Sequence, residues 1–369
     1  MIKKITIQNF FSFGSEQTIE LNADTNVLVG INGTGKSNFI KAIRLLKASL
    51  NDDFEKLFSQ KWGGFSGVAN FINPDATEIK ISTILNKEVL DKFTVYSPLK
   101  TDILFQVSIQ KVNSSNYKLS TTYFYDEEIF SVDNLGIGEF PQNGITQIIV
   151  QTVRLFEENI AIYDYFDTSF ESPIRQLSPY YSEENLLSDG KNLTALLSYL
   201  NGNSVKAFDK LVEEFKKINQ NFRELVFTTP VAGKSLLSLK EKNLDRAITI
   251  EHISDGTLRY LLLLSIFYNP KRGSVVCLDE PEMGLHPDMI NGIARGIKYA
   301  AENGTQMIVA THSPLLLNAF ELEDLMIFEK NDANETIVKK VSEEDFPDWE
   351  GEFLAGQMWL RGKIGGTRW

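Results

Sequence analysis

The chain opens on an alternation of polar and apolar residues, "MIKKITIQNFFSF", which is the period of a half-buried strand. Met1 to Leu21 reads as two strands joined by the turn "SFGSEQ". "NVLVG" is a short buried strand, and "GINGTGKSNFIKAIRLLKASL" is a loop entering an amphipathic helix. Phe39, Ile40, Ile43, Leu46 and Leu50 fall roughly on one face of that helix. From Thr77 to Asp133 the text is strand-like and aromatic: "EIKISTIL", "KFTVYSPL", "DILFQVSIQKV", "YKLSTTYFY" and "EIFSV". Breaks at Asn-Lys, Asn-Ser-Ser-Asn and Asp-Glu-Glu predict an antiparallel meander.

The period changes near Gly144. "ITQIIVQTVRLFEENIAIY", "NLTALLSYLN" and "SVKAFDKLVEEFKKIN" are predicted to be mostly helical, and strands return at "RELVFTT", "KSLLSLKE" and "RAITIEHI". The apolar segment from Tyr260 to Tyr268 then leads to strand "SVVCLDE", helix "PDMINGIARGIKYAAEN", strand "QMIVATH" and a hairpin of "DLMIFEK" with "ETIVKKV". This strand–helix–strand order predicts an α/β core with short loops. The expected division is an N-terminal part of the core with the meander (1–143), an inserted helical lobe (144–243) and a C-terminal part of the core (244–369). There are no repeats and no sustained heptads, so a long coiled coil is not expected.

Composition narrows the class. The 369 residues allow one large or two modest domains, and a hydrophobic content of 43% is ordinary for a globular core. The net charge of −12 argues against a general coating of nucleic acid, while leaving room for a local basic groove. A single cysteine, Cys277, excludes an intrachain disulfide and fits a reducing compartment. The N-terminus lacks a long apolar signal region, and the run from Tyr260 to Tyr268 is too short to span a bilayer. A soluble, cytoplasmic protein without membrane attachment is expected.

Chemistry concentrates in three places. "GINGTGKS", Gly30 to Ser37, fits G-x-x-x-x-G-K-[ST] in full, after a strand and before a helix. Glycines let the backbone curl so that its N–H groups point at phosphate oxygens, and the helix N-terminus adds positive potential. The candidate nucleotide-binding residues are Gly30, Asn32, Gly33, Thr34, Gly35, Lys36, Ser37 and Asn38; Lys36 is expected at the β- and γ-phosphates and Ser37 on Mg²⁺. The bland alternative is a Gly-rich turn before a surface helix. In "SVVCLDEPEMGLHP" a buried strand ends in two acids, and ligands of parallel sheets gather at the carboxyl ends of strands. Asp279 is then expected near the metal, through a water, and Glu280 as the group that polarises the attacking water. "MIVATHSP" ends a neighbouring strand at His312, a candidate contact for the γ-phosphate or that water. His286 either caps the helix starting near Pro287 or lies at a subunit interface. No zinc pattern and no Ser-His-Asp set stands in the sequence.

Taken together, "ITIQNFFSFG", "GINGTGKSN", "ISDGTLR", "CLDEPEMGLHP" and "VATHSP" occur in an order that resembles the ABC-type ATPases of the RecF/SMC/OLD class, in particular stand-alone ATPases related to the OLD nucleases. The resemblance covers nearly the whole chain and is vague only from Thr77 to Asn243. It implies a P-loop NTPase fold of the ABC ATPase type and a head-to-tail homodimer around ATP and Mg²⁺. In that dimer Ser254 and Gly256, the signature segment, would bind the γ-phosphate held by the other subunit, and Met283 to His286 would form the D-loop. Arg259 would steady the signature turn or pair with an acid across the dimer, with a plain surface salt bridge as the alternative. The Q-loop of such ATPases maps onto Arg175 or Gln176, unless "IYDYFDTSFESPIRQ" is a plain connecting loop. OLD nucleases append a TOPRIM nuclease domain, and the fifty-odd residues after His312 are too few for one in addition to the final strands. The resemblance therefore implies an ATPase that drives a separately encoded effector or a DNA-associated process, in genome maintenance or anti-phage defence.

Two other readings fit the same motifs less well. A nucleotide-binding subunit of a membrane transporter usually carries Leu-Ser-Gly-Gly and a shorter spacing from phosphate loop to signature. A non-hydrolysing ATP-dependent scaffold does not require the intact Asp279–Glu280 pair. The tail "GQMWLRGKIGGTRW" is basic and aromatic, and either packs on the core or meets a partner. The triplet Ser-Asp-Gly also stands at Ser188 to Gly190, where Ser188 or Asp189 is expected to cap the helix "NLTALLSYL".

Overall fold

Strand alternation and helical stripes become layers once each buries its apolar face. The computed structural model describes residues 1–73, 75–94, 98–113, 116–133, 144–179, 184–231, 233–342, 345 and 354–364. They form two units: Met1–Ile160 with Glu321–Phe353 and Met358–Trp369, and Ala161–Phe320 with Leu354–Gln357.

In the first unit the N-terminal alternation is realised as a six-stranded sheet. Its spatial order is Gln17–Glu20, Ile2–Gln8, Glu78–Leu85, Ile103–Lys111, Tyr117–Tyr125 and Glu128–Asp133. Every neighbouring pair is antiparallel. Registers such as Ile81 opposite Val107 and Phe105 opposite Tyr123 put the odd-numbered residues of three strands on one face, and these four side chains are buried. The predicted meander is present with one exception. The Asn-Lys break is a helix start: Asn86 accepts the Glu88 N–H at 2.8 Å, and Lys87–Leu90 is helical. Of "KFTVYSPL", residues 95–97 lie outside the described residues and the flanking ones form no strand.

The strand Thr25–Val29 is buried on both faces, as a parallel strand requires. It pairs with Leu325–Lys330, Val27 opposite Leu325, and that strand forms the predicted hairpin with Thr336–Lys340. The helix Lys36–Ala48 buries Phe39, Ile40, Ile43 and Leu46, and Phe39 meets Phe328 edge-on at 5.9 Å. The helix Gly144–Glu158 stops at Asn159, whose side chain bonds the Leu155 carbonyl at 2.9 Å. "IAIY" is then a strand, Ile160–Tyr163, where a continued helix was expected; periodicity alone does not separate the two for so short an apolar run.

In the second unit the helices Leu193–Asn203 and Val205–Ile218 precede the antiparallel hairpin Phe222–Val231 with Lys234–Glu241. Only Ile248–Thr249 of "RAITIEHI" is a strand; Ile250–His252 turns as a 3₁₀ helix. The helix Asp255–Phe267 is buried on nearly every side, which its unbroken apolar text requires. The helix Pro287–Glu302 approaches it through two glycines. A Cβ on Gly292 would lie 1.9 Å from the Tyr260 hydroxyl, and one on Gly296 2.3 Å from the Phe267 ring. Val275–Asp279 and Gln306–Thr311 are parallel neighbours, Asp279 opposite Ala310, and so bring their C-terminal ends together.

Ala355–Leu360 is helical, with Met358, Trp359 and Ile364 buried, so this part of the tail packs on the protein; Arg368 and Trp369 lie outside the described residues. Among the described residues no helix is long and apolar enough to cross a membrane.

Candidate nucleotide site

The phosphate loop belongs to the first unit. Gly33 and Gly35 have φ of +83° and +109°, conformations that L side chains rarely adopt. A Cβ on Gly35 would also lie 2.3 Å from Thr336 Oγ1, and one on Gly30 2.5 Å from the Phe328 carbonyl, so two glycines of the motif are fixed by close packing. Around Gly33 the space is open. Lys36 is 5% exposed, and its ammonium donates to the carbonyls of Gly30 at 2.6 Å and Ile31 at 3.1 Å. Ser37 is half-buried on the first helical turn, while Asn32 is exposed. Thr34 Oγ1 closes the turn on the Ile31 carbonyl at 2.9 Å.

A second layer holds this loop. Thr336 Oγ1 donates to the Thr34 carbonyl at 2.7 Å and lies 2.7 Å from Ser12 Oγ. The Asn38 amide bonds Ser12 at 2.8 Å. Ser12 and Thr336 carried no signal in the sequence, because they reach the loop from opposite ends of the chain.

The acids and histidines belong to the second unit. Glu280 follows the strand Val275–Asp279 with φ +52°, a strained value for a side chain of its size. Its N–H donates to the Ala310 carbonyl at 2.8 Å, which holds the strain in place. Its carboxylate touches His312 Nε2, and both side chains are about 30% exposed, so the pair is open to solvent. Sequence reasoning passed over Glu282. One of its oxygens takes the N–H groups of His312 at 3.0 Å and Ser313 at 3.1 Å, and the Thr311 hydroxyl as well. Glu282 thereby aims the loop that carries His312. Its only sequence signal was a further acid two residues beyond Glu280.

Ser254 caps the helix Asp255–Phe267, Oγ accepting the Thr257 N–H at 3.3 Å. Gly256 lies in the first turn, and a Cβ there would stand 3.3 Å from the Gly284 carbonyl. Arg259 stacks on Tyr165, guanidinium carbon 4.1 Å from the ring centroid, and donates to the Met283 carbonyl at 3.2 Å. Among the described residues no carboxylate pairs with Arg259, so the surface salt bridge is absent there. Gly284, at φ +73°, leaves room for this guanidinium. His286 Nδ1 accepts the Asp288 N–H at 3.3 Å, so of its two readings the helix cap is present. Arg175 is buried against the segment before Ser254, and Gln176 is exposed.

Each part suits the group expected of it. Ser37 and Asp279 are half-buried oxygen donors, the ligand type Mg²⁺ takes. Among the described residues no cluster of three His, Cys, Asp or Glu forms an all-protein metal cage, and a metal bound with a nucleotide needs none.

Residues 25–318 match a family described as "AAA domain, putative AbiEii toxin, Type IV TA system". The chain belongs to this AAA-domain family. It is also 26% identical, over 373 residues, to the Old nuclease of Escherichia phage P2; the match covers 93% of this chain and 61% of that protein. Among solved structures it is similar to an SMC head bound to the C-terminal winged-helix domain of ScpA, with a TM-score of 0.62, 15% identity and coverage of 93% and 98% of the two chains. A Pyrococcus furiosus SMC head with an extended coiled coil, bound to the C-terminal domain of ScpA, gives 0.60 at 14% identity, covering 93% and 96%. The fold is thus a P-loop NTPase fold of the ABC and SMC-head type, and family and fold together support ATP binding.

Proposed function

We propose that the protein hydrolyses ATP and works as a switch. Two copies close head-to-tail around two ATP molecules and reopen after hydrolysis. The observation that carries this reading is the Glu280–His312 pair at the C-terminal ends of neighbouring parallel strands, in a chain with a complete phosphate loop. Glu280 takes the proton of the attacking water, and His312, touching its carboxylate, orients it. Lys36 and the loop N–H groups bind the phosphates. Mg²⁺ would be held by Ser37 and, through water, by Asp279; it neutralises phosphate charge when bound. Ser254 and Gly256 offer a hydroxyl and a helix N-terminus to the γ-phosphate of the other copy.

The output of the switch would pass to a separately encoded effector protein or to DNA, in genome maintenance or anti-phage defence, within the cytoplasm. The likeness to the phage Old nuclease supports that direction, and the SMC heads bound to ScpA support a protein partner. The test is steady-state ATP turnover. Glu280→Gln is expected to bind ATP and to lose about 100-fold or more in turnover. Turnover at the parental rate would remove Glu280 as the base.

A further inference from the structure

A buried guanidinium has to be matched by acceptors, so the acceptors around one reveal what it organises. Arg175 ends the 3₁₀ turn Pro173–Arg175, which Ser172 caps by accepting the Ile174 N–H at 3.3 Å. Its side chain is 5% exposed. Nε donates to the Thr168 carbonyl at 2.8 Å, which anchors the guanidinium to its own loop. Nη1 donates to the carbonyls of Ile250 at 2.9 Å, Glu251 at 3.1 Å and Ile253 at 2.7 Å. Nη2 bonds the Asp255 carboxylate.

Four of these five acceptors lie within residues 250–255, on both sides of Ser254. The carbonyls of Ile250 and Glu251 leave the strand direction to meet Arg175, which is why the strand predicted over "RAITIEHI" ends at Thr249. Asp255, 63% exposed and in the first turn of the helix, is the one charged partner. A planar, five-donor fork can serve this divergent set; a lysine ammonium has three donors on one atom and cannot. The loop that carries Arg175 begins at Asp164, Tyr165 and Phe166, which line a pocket together with Asp279 and Glu280. One segment therefore borders the acids at its start and grips the Ser254 turn at its end.

We propose that Arg175 is the positioning residue of the signature turn, fixing Ser254 and Gly256 in the orientation that engages the ATP of a second copy. The proposal rests on the ATP-driven dimer described above. It assigns Arg175 no contact with the nucleotide of its own subunit, so binding and dimerisation should separate when the clamp is loosened.

The test uses the full chain carrying Glu280→Gln. Affinity for a fluorescent N-methylanthraniloyl-ATP and ATP-induced doubling of mass are measured for this parent, and then with Arg175→Lys or Asp255→Asn added. Both variants are expected to bind the analogue within about threefold of the parent and to need about tenfold or more protein to dimerise. Parental dimerisation in both variants, or a parallel loss of analogue binding and dimerisation, overturns the proposal. Asp255→Asn removes an exposed carboxylate and keeps the buried guanidinium with its carbonyl acceptors, so it remains informative should Arg175→Lys unfold. Absence of an ATP-driven dimer in the Glu280→Gln parent would instead overturn the switch reading itself, and the role of Arg175 with it.

Discussion

At Ser188–Gly190 and at Ser254–Gly256 the same three residues precede a leucine-rich helix, and both stretches lie in the second unit. In the first stretch the triplet closes a turn. Gly190 donates to the Leu187 carbonyl at 2.8 Å with φ +72°, and Asp189 accepts the Lys191 N–H at 3.2 Å. The helix begins only at Leu193. Neither Ser188 nor Asp189 caps it, contrary to expectation; Asn192 occupies the cap position and bonds backward, to Leu187 N–H at 2.9 Å and the Asn185 carbonyl at 2.8 Å. In the second stretch Ser254 is the cap and Gly256 is already helical. The difference comes from partners remote in sequence. Leu262, Ile174 and Phe166 crowd Gly190, so that an added Cβ would have to displace their side chains, whereas Arg175 draws the backbone before Ser254 into a turn that the helix continues. A tripeptide supplies the capacity for a cap or a turn, and packing chooses between them.

Substitutions can break this contrast. The largest effect is expected from Ser254→Arg, which should weaken ATP-driven dimerisation by about a hundredfold or more by placing a bulky side chain at the signature turn. Light scattering of the Glu280→Gln chain with ATP checks it; dimerisation at the parental concentration would remove Ser254 from the interface. Next comes Gly190→Ala, expected to cost about 2–3 kcal/mol from its left-handed φ and a Cβ 2.8 Å from the Leu262 side chain. Urea unfolding measures this, and an unchanged midpoint would contradict the crowding. Ser254→Ala should cost about 1 kcal/mol, the worth of an N-cap. Ser188→Ala should stay within about 0.5 kcal/mol, because Ser188 is exposed and caps nothing. Equal costs for the two serines would erase the distinction.

How much of this was legible in the sequence depends on where the partners lie. The placement of the phosphate loop before a helix, and of Asp279, Glu280 and His312 at strand ends, was readable because it is set locally: a motif, a strand end, a turn. The meander and the final hairpin were readable because alternation with period two survives in the text. Glu282 was not, since its work is to hold the backbone of residues thirty positions on. The partners of Arg175 were hidden for the same reason, four of its five acceptors lying 75 to 80 positions away. The strand Ile160–Tyr163 was merged with the helix before it because an all-apolar tetrapeptide carries no period, and Asn159 ends that helix with an ordinary side-chain bond.

The central claim is that ATP joins two copies of this chain, and solution mass tests it most directly. The Glu280→Gln chain, 41.8 kDa as a monomer, is measured by light scattering with and without ATP and Mg²⁺. The account predicts a doubling of mass with ATP that Ser254→Arg abolishes; a mass that ATP leaves unchanged would contradict it.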